Sequence, residues 1–252
     1  MHTATSHRPW ELPSTRWVMA MRWHDLVFIH WPLPSEQLRP LIPPALEIDT
    51  FDGTAWIGVV PFRMTGVHPR FLPALPGFSA FPELNVRTYV TTQGKPGVWF
   101  FSLDAANPIA VRAARWAFCL PYFDAHMAIA PWQGGYRYRS RRTHRGASPA
   151  AFAGWYRPTG SVFHAPAGTL AHWLTERYCL YAADRKGRVW RGDIHHDRWP
   201  LQPAEAEIEV NTMLDPLGLA LPQMPPLLHY ADRLDVVAWS PSLVHERAGR
   251  VS

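Results

Sequence analysis

Residues 22–31, Arg-Trp-His-Asp-Leu-Val-Phe-Ile-His-Trp, are mostly aromatic or β-branched and predict a strand that Pro32 and Pro34 end. Residues 35–42 fit one or two helical turns before Pro43-Pro44. The turn signal Asp52-Gly53 then leads into a second hydrophobic strand over 54–64. Three later pairs of runs are joined by short glycine-bearing links: 81–92 with 98–103, 122–132 with 136–143, and 178–183 with 188–194. Links this short make antiparallel hairpins, because a parallel crossover needs a dozen residues or more. Two helices interrupt the strands. Asn107-Pro108 supplies an N-cap and a first-turn proline for 109–118. Thr169 caps 170–177, where Leu170, Trp173 and Leu174 share a face. Residues 215–226 read as a proline-rich packed loop, followed by a last strand near 234–239.

One run carries a different pattern. In Glu83-Leu84-Asn85-Val86-Arg87-Thr88-Tyr89-Val90, period two puts Glu83, Asn85, Arg87 and Tyr89 on one face and Leu84, Val86 and Val90 on the other. Alternation alone favours a solvent-facing edge for the polar row. The functional alternative is an interior stripe, with Arg87 binding an anion and Glu83 acting as acid or base. The next strand delivers Asp104 to a strand-to-helix junction, a common place for site residues.

Composition narrows the classes. With 47% hydrophobic and 18% charged residues the chain is a folded globular one. No repeat or low-complexity linker divides it, so a single domain is expected over 1–252, with a core over 16–240 and termini at 1–15 and 241–252. The polar start, 1–17, has no secretion signal, and no run of about 18 apolar residues is present; the expectation is a cytoplasmic protein without a membrane partner. Cys119 and Cys179 form no redox or metal motif. Cys119 could be a nucleophile beside Arg115, though free cysteine is most often a small buried hydrophobe. The adjacent His195 and His196 would point to opposite faces of a strand and cannot chelate together, so neither a metal nor a cofactor is expected. One of the two, with His196 as the candidate, can serve as a hydrogen-bond donor or base. The net charge of +5 allows contact with anions. Arg137, Arg139 and Arg141 alternate with Tyr136, Tyr138 and Ser140, but a solvated strand face accounts for them and no nucleic-acid partner is expected.

The segments 115–123, 81–90, 174–178 and 195–200, with the early landmarks 51–56 and 60–62, look like the YqjF-like family of uncharacterised bacterial proteins over about residues 17–210. That family is held to be related to acetoacetate decarboxylase. The resemblance implies a closed antiparallel β-barrel with an internal cavity and two or three short helices outside it. The decarboxylase carries Arg-x-x-x-Gly-Phe-Pro-Lys-Lys. Here Arg115 and Pro121 match, Leu120 replaces the phenylalanine, and Tyr122 and Phe123 stand where the two lysines would be. A Schiff base needs a primary amine, which neither residue has. Lys95 and Lys186, the only lysines, both fall in predicted hairpin turns. The expectation is therefore an enzyme acting on a small anionic or carbonyl compound without Schiff-base chemistry. Glu83 and Tyr122 would handle protons, and Asn85, Arg87, Asp104, Arg115, Glu176, Arg177 and His196 would hold the ligand. The alternative is a non-catalytic binding protein using the same cavity.

Overall fold

The structure is a computed structural model that describes residues 5–75, 79–184 and 186–244, without the side chains at 113, 116 and 117. Most of the expected carboxy-terminal tail, Arg185 of the third predicted hairpin, and the side chains of Trp116 and Ala117 therefore lie outside the described residues.

Among the described residues thirteen strands join in one sheet: β1 (Met19–Leu33), β2 (Glu47–Ile48), β3 (Ala55–Pro69), β4 (Phe81–Thr92), β5 (Lys95–Ala105), β6 (Tyr122–Trp132), β7 (Gly135–Arg142), β8 (Ala151–Pro158), β9 (Cys179–Ala183), β10 (Val189–His196), β11 (Gln202–Asn211), β12 (Leu227–Ala238) and β13 (Ser242–Leu243). Three short helices accompany them: α1 (Ser35–Leu38), α2 (Pro108–Phe118) and α3 (Leu170–Thr175). The chain is thus mostly β with a few short helices. The three predicted hairpins, β4–β5, β6–β7 and β9–β10, are all antiparallel.

Two ladders depart from the expected all-antiparallel sheet. β5 pairs in parallel with both β6 and β9. The first follows from α2, which lies between β5 and β6 and gives the chain the length to return in the same direction. Ladders lead from β1 through β3, β4, β5, β9, β10 and β12 back to β1, and the arc β6–β7–β8–β11 joins β5 to β12 on the other side. The strand β1 also runs through Pro32 to Leu33 instead of stopping there. Its ladder to β12 ends at His30, so Pro32 lies where only β3 is paired and a missing N–H is tolerated. The strands β8 and β11 were not visible in the hydrophobic pattern.

Burial explains the unbroken apolar runs. In β1, Val27, Ile29 and Trp31 enter one core cluster while Leu26 and Phe28 enter another. In β4, Leu84, Val86 and Val90 join the first cluster. Strands covered on both faces lose the alternation of a half-exposed sheet. The amino-terminal segment is also packed. Arg8 is buried, donates to the carbonyl of Ile194 at 2.7 Å and lies 4.8 Å from the centre of the Tyr178 ring.

Candidate functional site

The second core cluster surrounds a cavity of about 120 Å³, the scale that holds a single-ring ligand. Most of its wall is apolar, including Trp23, Phe62, Phe100, Leu103 and Trp199. Glu83, Asn85 and Arg87 enter it together from β4, so the polar row faces inward and not to solvent. Tyr122 enters from the start of β6, Arg177 from the turn after α3, and His196 from the end of β10.

Glu83 is 2% exposed, and the Tyr122 hydroxyl donates to its Oε2 at 2.9 Å. Burial pushes the carboxyl up to about 8; the Tyr122 hydrogen bond opposes this and the charge of Asp104 adds to it. Burial, with Glu83 beside it, holds the Tyr122 hydroxyl well above the usual phenol range. Near neutral pH the pair is thus an uncharged phenol beside a mostly protonated carboxyl. Behind it, the Tyr138 hydroxyl of β7 donates to the backbone carbonyl of Glu83 at 2.8 Å and ties the strand down.

The two arginines are held by the end of α3. A helix leaves its last carbonyls unpaired, and here side chains take them. Arg87 Nη2 and the Tyr89 hydroxyl both donate to the carbonyl of Leu174, at 3.4 and 2.8 Å. Arg177 Nε donates to the carbonyl of Trp173 at 2.6 Å, and its Nη1 to Asp49 at 2.5 Å. Both guanidinium groups lie near the Tyr89 ring, with centroid distances of 5.6 Å to Arg87 and 4.8 Å to Arg177. The Nε2 of His30 lies 2.6 Å from the Tyr89 hydroxyl. Because that hydroxyl already donates to Leu174, His30 Nε2–H is the donor in this contact. Burial, with Arg87 and His229 nearby, holds His30 well below the usual range and therefore neutral. Gly58 makes room for this ring, since a Cβ there would stand 2.8 Å from it. Asn85 Oδ1, Arg87 Nε and Arg177 Nη2 are buried without a hydrogen-bond partner among the described residues. Buried polar atoms of this kind are costly unless something polar meets them.

Three expected ligand contacts belong elsewhere. Asp104 is fully buried but does not line the cavity: Arg142 grips it through Nε at 3.0 Å and Nη2 at 2.7 Å. The exposed Arg115 gives its Nη1 to the carbonyl of Tyr122 at 2.6 Å, which positions that residue from outside. Glu176 accepts from the Tyr178 hydroxyl and from the Trp199 backbone N–H, leaving its carboxylate engaged in the core. Of the histidine pair, His196 lines the cavity, whereas His195 turns to Arg8. Cys119 is the left-handed C-cap of α2 and does not line the cavity. Cys179 does line it, but burial pushes its thiol up to about 12, which leaves it a neutral wall residue. Lys95 sits 5.5 Å from the centre of the Trp10 ring and Lys186 is exposed, both away from the cavity. Met19, Met21 and Trp23 of β1 also line the cavity, and their period-two spacing is the only signal of this wall in the sequence.

The chain belongs to the DUF2071 family of uncharacterized conserved proteins, whose model matches residues 20–235. It is 48% identical over 228 residues to the uncharacterized protein YqjF of Bacillus subtilis, covering 90% of this chain and 93% of that one. Its fold is similar to that of the enduracididine biosynthesis enzyme MppR complexed with the condensation product of pyruvate and imidazole 4-carboxaldehyde (TM-score 0.64, 12% identity, covering 93% and 92% of the two chains). It is similar too to acetoacetate decarboxylase from Legionella pneumophila (TM-score 0.58, 14% identity, 94% of each chain). Among the described residues no helix is long and apolar enough to cross a membrane, and no cluster of side chains is arranged to hold a metal ion.

Proposed function

We propose that the protein is an enzyme that binds a small anionic or carbonyl compound inside the sheet, which closes around it as a barrel, and moves a proton on it without forming a Schiff base. The observation that carries this reading is the Glu83–Tyr122 pair: a buried carboxyl at about 8, hydrogen-bonded by a neutral phenol, in the same cavity as two arginines with unpartnered N–H groups. A general acid or base works best when it titrates near the working pH, and proton transfer by a positioned group contributes about 10²–10⁴-fold in rate. Arg87 and Arg177 supply charge for the anion, Asn85 offers an acceptor, and His196 offers a ring edge. The apolar wall keeps water out and strengthens each of these contacts. A fold neighbour complexed with a pyruvate-derived compound supports a substrate of this chemical class.

The test is to identify by mass spectrometry the compound that copurifies with the protein, then follow its turnover by wild type and Glu83→Gln. Glu83→Gln should slow turnover by at least a hundredfold while the compound still binds. Binding with no turnover by either form would instead establish a non-catalytic binding protein, the reading that the apolar wall favours.

A further inference from the structure

Phe81, Glu83, Asn85 and Arg87 lie on one face of β4. The ladder to β3 keeps a constant register from Ile57↔Thr88 to Met64↔Phe81, and the one-residue slip against β5 between Val86 and Arg87 puts its extra residue in β5, so β4 itself keeps the period. Successive same-face residues stand about 7 Å apart, which places Phe81 about 20 Å from Arg87 along the strand. The two ends differ in character. Arg87 lines the cavity, whereas Phe81 lines a second space, a cleft of about 590 Å³ against α2. Cavity and cleft share Met19, Met21, Met64, Ala114, Phe118 and Tyr122, so the two spaces adjoin across these side chains, with Tyr122 at the boundary. Among the described residues no charged side chain lines the cleft; beyond the shared wall it is bounded by groups such as Val67, Phe81 and Ala110. Open apolar clefts of this size mark binding grooves. A wall with three methionines adapts to an unbranched chain, because the thioether side chain has many accessible shapes.

We propose that the ligand of this site is an amphipathic acid, with its anionic head at Arg87 and a long, thin apolar tail that passes Glu83 and Tyr122 and lies in the cleft between β1, β3 and α2. This rests on the cavity reading above and adds the size and polarity of the compound. The 20 Å row makes β4 a ruler. An anion at Arg87 reaches the cleft only if its chain is long, so short acids gain nothing from the apolar end.

Sodium hexanoate, decanoate and tetradecanoate are the probes, with binding read by calorimetry and by fluorescence of Trp23, Trp199 and Trp239 in the cavity wall. Each buried methylene is worth about fourfold in affinity, so four of the eight added between hexanoate and tetradecanoate give more than a hundredfold. Tetradecanol should bind at least tenfold more weakly than tetradecanoate. Ala110→Trp and Val67→Trp, which fill the cleft from two different elements, should each remove the long-chain gain and leave hexanoate binding as it was; thermal melts of both check folding. Hexanoate and tetradecanoate binding equally well would overturn the tail and leave the arginine-bound head intact. Tetradecanol binding as tightly as tetradecanoate would overturn the amphipathic ligand. Failure of all three acids to bind would overturn this proposal, whereas the cavity reading falls only if the copurifying compound neither sits in the cavity nor is turned over.

Discussion

β4 and β7 carry similar sequences to opposite outcomes. Each alternates charged residues with bulky ones, yet Glu83, Asn85 and Arg87 of β4 are buried, whereas Arg139 and Arg141 of β7 are exposed and Tyr138 and Ser140 are buried. The difference lies in the neighbours. β4 runs between β3 and β5, and residues paired with it, Val60, Phe62, Leu103 and Phe100, line the same cavity. Its other face packs in the cluster that contains Tyr138, so the inward side of β7 covers the back of β4. β7 presents its arginines outward, where Arg137 meets Glu209 of β11. Alternation thus says which residues share a face, and not what covers that face.

Changing Glu83 tests this contrast hardest. Its carboxyl stands at about 8 in the folded chain against an ordinary value of 4.5. The raised value means that Glu83 costs nothing below pH 4.5 and destabilises the fold progressively as pH rises to about 8, beyond which the penalty is constant. At about 1.4 kcal/mol per pH unit, the full penalty is about 5 kcal/mol. The stability difference between Glu83→Gln and wild type, followed by denaturant unfolding, should therefore grow from pH 4.5 to 8 and then level off. A pH-independent difference would place the carboxyl in water. Next in size is Arg142→Met, which strands Asp104 without its cation. A broken buried pair costs about 3–5 kcal/mol, read as a lower denaturation midpoint. Ligand affinity measured on the remaining folded fraction should be unchanged, in contrast with the role first expected for Asp104.

Arg87→Met sharpens the comparison from the binding side. A hydrogen bond to a charged group contributes about 1.5–3 kcal/mol, so affinity for an anionic ligand should fall roughly ten- to a hundredfold. The fold should hold or gain stability, because no carboxylate loses a partner there. Smallest of all, Arg139→Gln and Arg141→Gln should change stability by less than about 0.5 kcal/mol and leave ligand affinity unaltered. A marked loss of binding in either would transfer functional weight to β7.

Much of this molecule can be read locally. The helix caps Asn107 and Thr169 do what their residue types suggest: Asn107 accepts from the N–H groups of Ile109 and Ala110, and Thr169 from that of His172. The β4, β6 and β7 boundaries fall within a residue of the hydrophobic pattern because Gly94, Gly134 and their neighbours set tight turns. β8 and β11 escaped notice because Gly154 lies inside one and charged residues on the other face outward, which blunts the pattern. Glu83 and Tyr122 stand out in the sequence only as separate candidates for handling protons; that the Tyr122 hydroxyl lies 2.9 Å from Glu83 Oε2 comes from the folded arrangement.

What the chain itself established is the set of elements, the shared face of Glu83, Asn85, Arg87 and Tyr89, and the phenol in place of an amine at Tyr122. Each follows from short-range physics: strand period, turn stereochemistry and the chemistry of one side chain. Only the folded arrangement decided that the polar row is buried and that Asp104 and Glu176 belong to structural contacts. It also set both arginines on the carbonyl end of α3. These outcomes depend on partners far away in sequence, such as Arg142 for Asp104 and Leu174 for Arg87. Burial is a property of what packs on a residue, and a residue's own neighbours along the chain do not carry that information.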